Sequence, residues 1–320
     1  MRETEVIARL RRIATDPAAR GLLDDAAVLD GFVITHDTIA EGIHFLPFDP
    51  PASVGWKLVA VNLSDLAGKG ATPAGALLSM ALSDDPNWDD EFLTGVEHAC
   101  ESYALPLIGG DTIALPEGAP RVLGMTAIGR AGEHTPGRDG GRPGDALWLV
   151  GTVGDAAAGL ALLSADRSVV GPLVDIYRRP VPQLEAGRTL APHVHAMMDV
   201  TDGLLLDARR MAEASRCSAH IDLDALPLSK EFLRLSGDSL DARLFAATGG
   251  DDYALLAAIP PELDPATLSL PSGTTITRIG SLEAGEAAIR LVSGGHPIEV
   301  PEKLGYEHHG SAPAPMANRP

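Results

Sequence analysis

The stretch Val61-Asn62-Leu63-Ser64-Asp65-Leu66-Ala67-Gly68-Lys69-Gly70-Ala71 constrains this chain most. An apolar helix beginning at Ser53, read as its N-cap, carries Val54, Leu58, Val61, Leu63 and Leu66 and is stopped by Gly68 and Gly70. Asp65 is thus a carboxylate near the end of a mostly buried helix. Burying a charge is costly unless it is paired, hydrogen-bonded or bound to a metal. Taken alone, Asp65 reads more simply as the cap of a neighbouring loop.

At 320 residues the chain is longer than one core usually supports, so two domains are expected. Hydrophobic residues make up 45%, aromatics only 4%, so aliphatic side chains must fill both cores. The net charge of −19 excludes nucleic-acid binding and attachment to an anionic membrane, both of which need basic surface. An acidic protein that takes phosphates must use backbone amides, local Arg or Lys, or divalent cations. Two cysteines, Cys100 and Cys217, make no disulfide framework or zinc ribbon. With no leader-like or membrane-length apolar run, a cytoplasmic protein is expected.

In chain order, a helix is expected over 3–14, then a hairpin of 26–29 with 32–35 around Asp30-Gly31, bordered by Asp24, Asp25 and Asp37. A buried strand over 74–82, a helix over 88–103, a strand over 105–108 running into Gly109-Gly110-Asp111, and a strand over 121–130 complete the first half. Residues 132–144, with five glycines and two prolines, read as the connection between domains. Beyond it come a strand over 146–150, a helix capped by Asp155, a helix over 183–190, a short strand over 196–198 leading to Asp199-Val200-Thr201-Asp202-Gly203, and a helix over 204–214. Strands at 219–223, 254–259, 275–280 and 288–292 follow, with weak helices near 229–247. The tail, 311–320, is expected to be disordered.

Phosphate loops, dinucleotide fingerprints, zinc-protease helices and nucleophile elbows are all absent. Aspartates at the ends of predicted elements recur instead, two of them beside glycine: Asp25, Asp37, Asp65, Asp111, Asp199 and Asp202. Each alone is ordinary turn composition, and Asp202 serves equally as a helix N-cap. Together they suggest hard oxygen ligands gathered around magnesium ions that hold phosphates.

The ordered motifs Asp24-Asp25-Ala26-Ala27-Val28, Asp37-Thr38 with Glu41-Gly42-Ile43-His44-Phe45, Asn62-Leu63-Ser64-Asp65-Leu66-Ala67, Gly109-Gly110-Asp111-Thr112, Asp199-Val200-Thr201-Asp202-Gly203 and Gly249-Gly250-Asp251-Asp252-Tyr253 span nearly the whole chain. The chain resembles thiamine-monophosphate kinase, within the AIR synthase-like ATP-binding superfamily. The resemblance implies an α/β (α+β) fold of two domains: an N-terminal mixed sheet with helices (1–134) that binds ATP and Mg²⁺ and dimerises, and a C-terminal α/β domain (135–310). It implies a homodimer with ATP in a cleft at the dimer interface, several Mg²⁺ ions, and thiamine monophosphate as acceptor. Asp25, Thr35, Asp37, Asp65, Asp111, Asp199 and Asp202 become magnesium ligands, with Asp65, Asp111 and Asp202 carrying catalysis. Gly110, Asp111, Arg138 and Thr201 fall at ATP-contacting positions, and Tyr103 near the nucleotide. His44 and Asp251 match substrate contacts, although His44 beside Phe45 also reads as a packed histidine. The chain departs from the family at His36, where a threonine is usual, and at Lys303, where an aromatic often stacks on the substrate. Thr35 and Thr201 stand where serine is common.

Phosphorylating a phosphate monoester brings two polyanions together, so divalent cations are required. The acceptor oxygen, with a second pKa near ~6, is already ionised at neutral pH and needs no strong base. Apolar residues over 74–82 suggest dimerisation through the first domain. Other enzymes of the superfamily, and a non-catalytic nucleotide-binding homologue, are the rival readings. The chain lacks both an early reactive cysteine and a C-terminal one, which argues against selenophosphate synthetase and the hydrogenase-maturation protein.

Overall fold

The structure, a computed structural model, describes residues 3–308; the tail expected to be disordered lies outside the described residues. After helix α1 (Glu3–Leu10), strands β1 (Ala27–Leu29) and β2 (Phe32–Ala40) form a hairpin. Asp30 and Gly31, with φ of 48° and 81°, supply the left-handed pair that a tight two-residue turn needs. Helix α2 (Pro51–Gly68) begins before Ser53. Proline at its first position lacks only an N–H that no helix start can use, and the Ser53 amide already donates to the Pro50 carbonyl at 2.8 Å.

Strand β3 (Thr72–Leu82), helix α3 (Pro86–Ser102), strand β4 (Leu107–Ala114) and strand β5 (Val122–Arg130) complete the first half. Asp85 caps α3 by accepting the Asn87 and Trp88 amides at 3.1 and 3.2 Å. The sheet order is β1-β2-β5-β3-β4, with only the β3–β4 pair parallel. Gly109-Gly110-Asp111 does not follow a strand, as expected, but lies within β4, where Asp111 faces Ser79 of β3. At Gly110 a Cβ would stand 2.0 Å from the Leu78 carbonyl oxygen, so only glycine allows this pairing.

The second half holds β6 (Ala146–Val150), α4 (Asp155–Ala165), α5 (Pro172–Arg178), α6 (Leu184–Leu190), β7 (Ala196–Val200), α7 (Leu204–Ser215), β8 (Ser218–Asp222), α8 (Lys230–Ser236), α9 (Leu240–Gly249), β9 (Ala254–Ile259), β10 (Ile276–Glu283), β11 (Ile289–Ser293) and β12 (His296–Ile298). Its sheet runs β12-β11-β8-β10-β6-β9-β7, with β8 and β11 the parallel pair. The apolar run of β9 is buried on both faces. Gly154, not Asp155, is the cap residue of α4; Asp155 is its first helical residue and accepts from the Thr152 and Ser229 hydroxyls.

The architecture is the expected mixed α/β one, with two sheets and helices packed on them. Its cores are not separate. Leu58, Val59, Leu63 and Leu66 of α2 belong to one apolar cluster with Val33 and Met125 of the first sheet and with Met197, Leu255 and Ala257 of the second. No helix among the described residues is long and apolar enough to cross a membrane.

Candidate functional site: an acidic cluster at the end of α2

The C-terminal turn of α2 delivers Asp65 to the place where the two sheets meet. Close approach is possible because residue 68 is glycine: a Cβ there would lie 3.1 Å from the Asp199 amide nitrogen on β7. Asn62, one turn earlier, pins β2 by accepting the Asp37 amide at 3.0 Å while donating to the Leu58 carbonyl at 2.9 Å. A carboxylate oxygen from each of Asp25, Asp65 and Asp199 lies within 4.8 Å of the others. Thr35 donates its hydroxyl to Asp65 from the same face of β2 that carries Asp37. His36 points the other way, exposed, with its ring 2.9 Å from the Thr126 hydroxyl.

Three basic side chains compensate the cluster unevenly. Lys69, with no exposed side-chain surface, pairs with Asp24 and lies 3.0 Å from Asp25 Oδ2; Arg138 pairs with Asp25 Oδ1. Burial alone would push Asp25 up, but Arg138 and Lys69 outweigh it and hold this carboxyl down at about 2. Arg210 on α7 bridges Asp202 at 2.6 Å and buried Asp207 at 2.9 Å. Asp207 in turn accepts the Thr201 and Asp202 amides at 3.0 and 3.1 Å and so shapes the turn after β7.

Asp37, Asp65 and Asp199 have no such partner. Burial, then the charges of Asp25 and Asp202, raises Asp37 to about 6; burial, then Asp25, raises Asp199 to about 8. Asp65 is raised well above the ordinary carboxylate range, by burial first and then by Asp37, Asp199 and Asp25. Asp199 Oδ2 is buried without a hydrogen-bond partner, whereas Asp25 Oδ2 has the Lys69 ammonium at 3.0 Å. An all-oxygen donor set with orphaned buried lone pairs and crowded negative charge fits Mg²⁺, with no soft ligand to favour zinc.

These shifts fix a pH dependence. The metal-free folded state keeps protons on Asp37 and Asp199 that the unfolded chain has released above pH 3.8, so stability falls as pH rises through about 6 and then about 8. Mg²⁺ requires the ionised form. Its increment in melting temperature is therefore expected to be larger at pH 8.5 than at pH 6, as measured by calorimetry with and without the metal; an increment that shrinks toward alkaline pH would contradict the arrangement.

His44 and Asp251, expected at substrate contacts, meet some distance along α2. Lys57, 2% exposed, donates to Asp251 Oδ2 at 2.7 Å and to the His44 carbonyl at 2.9 Å. The Tyr253 hydroxyl donates to Asp251 Oδ1 at 2.8 Å. His44 accepts the Ala40 amide at 3.1 Å and faces the His308 ring at 5.5 Å; burial, ahead of all else, lowers its pKa. Lys303 is exposed, whereas Tyr306, three residues on, packs edge-on against His308 at 4.9 Å. Tyr103 packs against Trp56 at 5.5 Å, with Arg179 over the other ring at 4.9 Å.

The structure thus gathers Asp25, Thr35, Asp65 and Asp199, sets Asp37, Asp202, Arg138 and Thr201 around them, and places His44 and Asp251 together. Gly110 and Asp111 lie apart, on exposed β4. Lys57, Lys69, Asp207, Arg210 and Tyr306 escaped sequence reasoning. Only the two lysines left a signal, as charges on or just after an otherwise apolar helix.

The family described as AIR synthase related protein matches with its N-terminal domain over residues 23–131 and its C-terminal domain over 142–292. Thiamine-monophosphate kinase of Salmonella typhimurium is 35% identical over 302 residues, covering 90% of this chain and 91% of the relative. That of Caulobacter vibrioides is 35% identical over 326 residues, covering 96% and 90%. The solved structure of AaThiL complexed with AMPPCP and TMP superposes with a TM-score of 0.83 at 30% identity, over 96% of this chain and 97% of that one. Sequence and structure are matched almost end to end across both halves that build the cluster, and on that footing the chain belongs to the thiamine-monophosphate kinase family.

Proposed function

We infer that this protein transfers the γ-phosphoryl group of ATP to thiamine monophosphate, giving thiamine diphosphate and ADP by direct in-line displacement. The observation that carries the reading is the convergence of Asp25, Asp65 and Asp199, with buried lone pairs left open, in a chain of this family. An oxygen of the acceptor phosphate bonds to the γ-phosphorus as the bond to the β–γ bridging oxygen breaks, and ADP carries away the electron pair. Mg²⁺ bound there would supply charge neutralisation across the donor and acceptor oxygens.

Asp25, Thr35, Asp37, Asp65, Asp199 and Asp202 would hold the metal, and the rest of the work is positioning. Lys69 and Arg138 fix the Asp25 carboxylate, and Arg210 with Asp207 fixes the turn that carries Thr201 and Asp202. Arg138 and Thr201 would face the nucleotide phosphates, and His44, Asp251 and Tyr306 the acceptor. No group need remove a proton, because the acceptor is already ionised at neutral pH. Asp111 and Gly110, displayed on β4, would reach an active centre as part of a homodimer, which the exposed apolar residues of that strand favour. The cytoplasm, where ATP is available and Cys100 and Cys217 stay free, is the compartment this chemistry suits.

The test is an assay of purified protein with ATP, Mg²⁺ and thiamine monophosphate. Thiamine diphosphate should form, its formation should stop in EDTA and return with Mg²⁺, and unphosphorylated thiamine should be a poor acceptor. Binding of Mg-ATP without transfer to any acceptor would sink the reading in favour of a nucleotide-binding homologue.

A further inference from the structure

A lysine ammonium has three N–H donors and no acceptor. At Lys57 all three directions are occupied inside the protein: Asp251 Oδ2 at 2.7 Å, the His44 carbonyl at 2.9 Å, and the face of the Tyr177 ring, whose centroid is 4.2 Å from Nζ. The side chain is 2% exposed. Lys57 therefore has no donor to offer a ligand. What it does is tie together three elements: the loop after β2 through His44, α5 through Tyr177, and the loop between α9 and β9 through Asp251.

Asp251 is held unusually firmly. Its φ is +64° and that of Tyr253 is +50°, a conformation non-glycine residues rarely adopt and which persists only where surroundings over-determine it. Its amide donates to the Thr201 carbonyl at 2.7 Å, and its two carboxylate oxygens are taken by Lys57 and the Tyr253 hydroxyl. The side chain is nevertheless 29% exposed, so one edge remains open to solvent. A carboxylate with a unit positive charge at 2.7 Å is not a free counter-ion; the pair presents a dipole.

We propose that Lys57 is a positioning residue for the acceptor, fixing His44 and Asp251 in one geometry and cancelling the charge of Asp251, so that the pocket accepts a planar heteroaromatic ring by shape and polarity without requiring it to be cationic. This rests on His44 and Asp251 lining the acceptor pocket, as read above. A lone carboxylate at Asp251 would instead select the positive thiazolium ring.

The probe is a pair of monophosphates: thiamine monophosphate, and its neutral isostere in which the ring nitrogen is replaced by carbon. Calorimetric binding of both is measured on the wild type, Lys57→Met and the double variant Lys57→Met with Asp251→Asn. The wild type should bind the two within about threefold of each other; Lys57→Met should shift the ratio toward the cationic ligand by about tenfold or more, because Asp251 is then uncompensated. The double variant, neutral again, should return the ratio toward the wild-type value, which a loss of packing alone would not do. In kinetics, Lys57→Met should raise the KM for acceptor and leave that for ATP near its wild-type value. A wild type that already prefers the cation by about tenfold overturns the proposal, and this arm stands even where Lys57→Met does not fold. An unchanged ratio in Lys57→Met, a double variant as shifted as the single one, or equal rises in both KM values would overturn it too. Whether wild-type protein forms thiamine diphosphate at all is read separately, so a failed kinase reading and a failed role for Lys57 give different results.

Discussion

Asp65→Asn is expected to lower turnover by at least ~100-fold, more than is lost when a residue that only orients a metal ligand is changed. The metal-free protein should melt at the same temperature or higher. Asp65 is buried beside Asp37, Asp199 and Asp25, which together with burial raise its pKa well above the ordinary range. The neutral amide removes that repulsion, and its oxygen can still accept the Thr35 hydroxyl. A ligand position that is costly in the empty protein and needed in the loaded one predicts opposite signs for stability and activity, and the gain in melting temperature on adding Mg²⁺ should shrink in the variant. Near-normal kcat at saturating Mg²⁺ would remove Asp65 from the metal site.

Leu107→Lys combined with Ile113→Lys is expected to give a monomer with activity reduced by about tenfold or more, since two charges would be forced into an apolar contact. Every residue of β4 is exposed; Leu107 and Ile113, on either side of Asp111 along the strand, are 51% and 54% exposed. An open, apolar sheet edge is what natural proteins normally cover or charge. Sequence reasoning located apolar surface at 74–82; β3 lies inside the sheet yet keeps Leu77 and Leu82 exposed, beside the edge strand β4. Sedimentation velocity and turnover on the same samples decide the matter. A wild type that is monomeric at micromolar concentration with full activity would refute a shared centre, and so would a double variant that remains dimeric.

What could be read from the residues alone was whatever local chemistry dictates. The Asp30-Gly31 turn, the unbroken apolar run of β9 and the buried end of α2 each announce themselves within a few residues. The acidic positions were legible as motifs too, because the six motifs in that order along the chain are specific. Legibility ended where a partner comes from far along the chain. Nothing near Lys57 names Asp251, 194 residues away, and nothing near Arg138 names Asp25. Lys303 stands where the family often has an aromatic, and the ring that packs toward His44 through His308 belongs to Tyr306, three residues on. The strand through Gly109-Gly110-Asp111 was cut short because two glycines read as a turn, and only pairing with β3 makes them extended.

Helix α2 belongs to the cores of both sheets, and this bears on how such a chain can be recombined in evolution. A module that can be exchanged freely brings its own interior and meets its neighbour across a polar surface. Here Leu58, Leu63 and Leu66 are shared property: the strands of the second half close over a helix encoded in the first. A second half taken from a distant relative would have to arrive with Met197, Leu255 and Ala257, or their volume equivalents, already shaped to that helix. Drift on either side of the seam is therefore tethered to drift on the other, and the two halves are expected to travel between genomes as one inheritance.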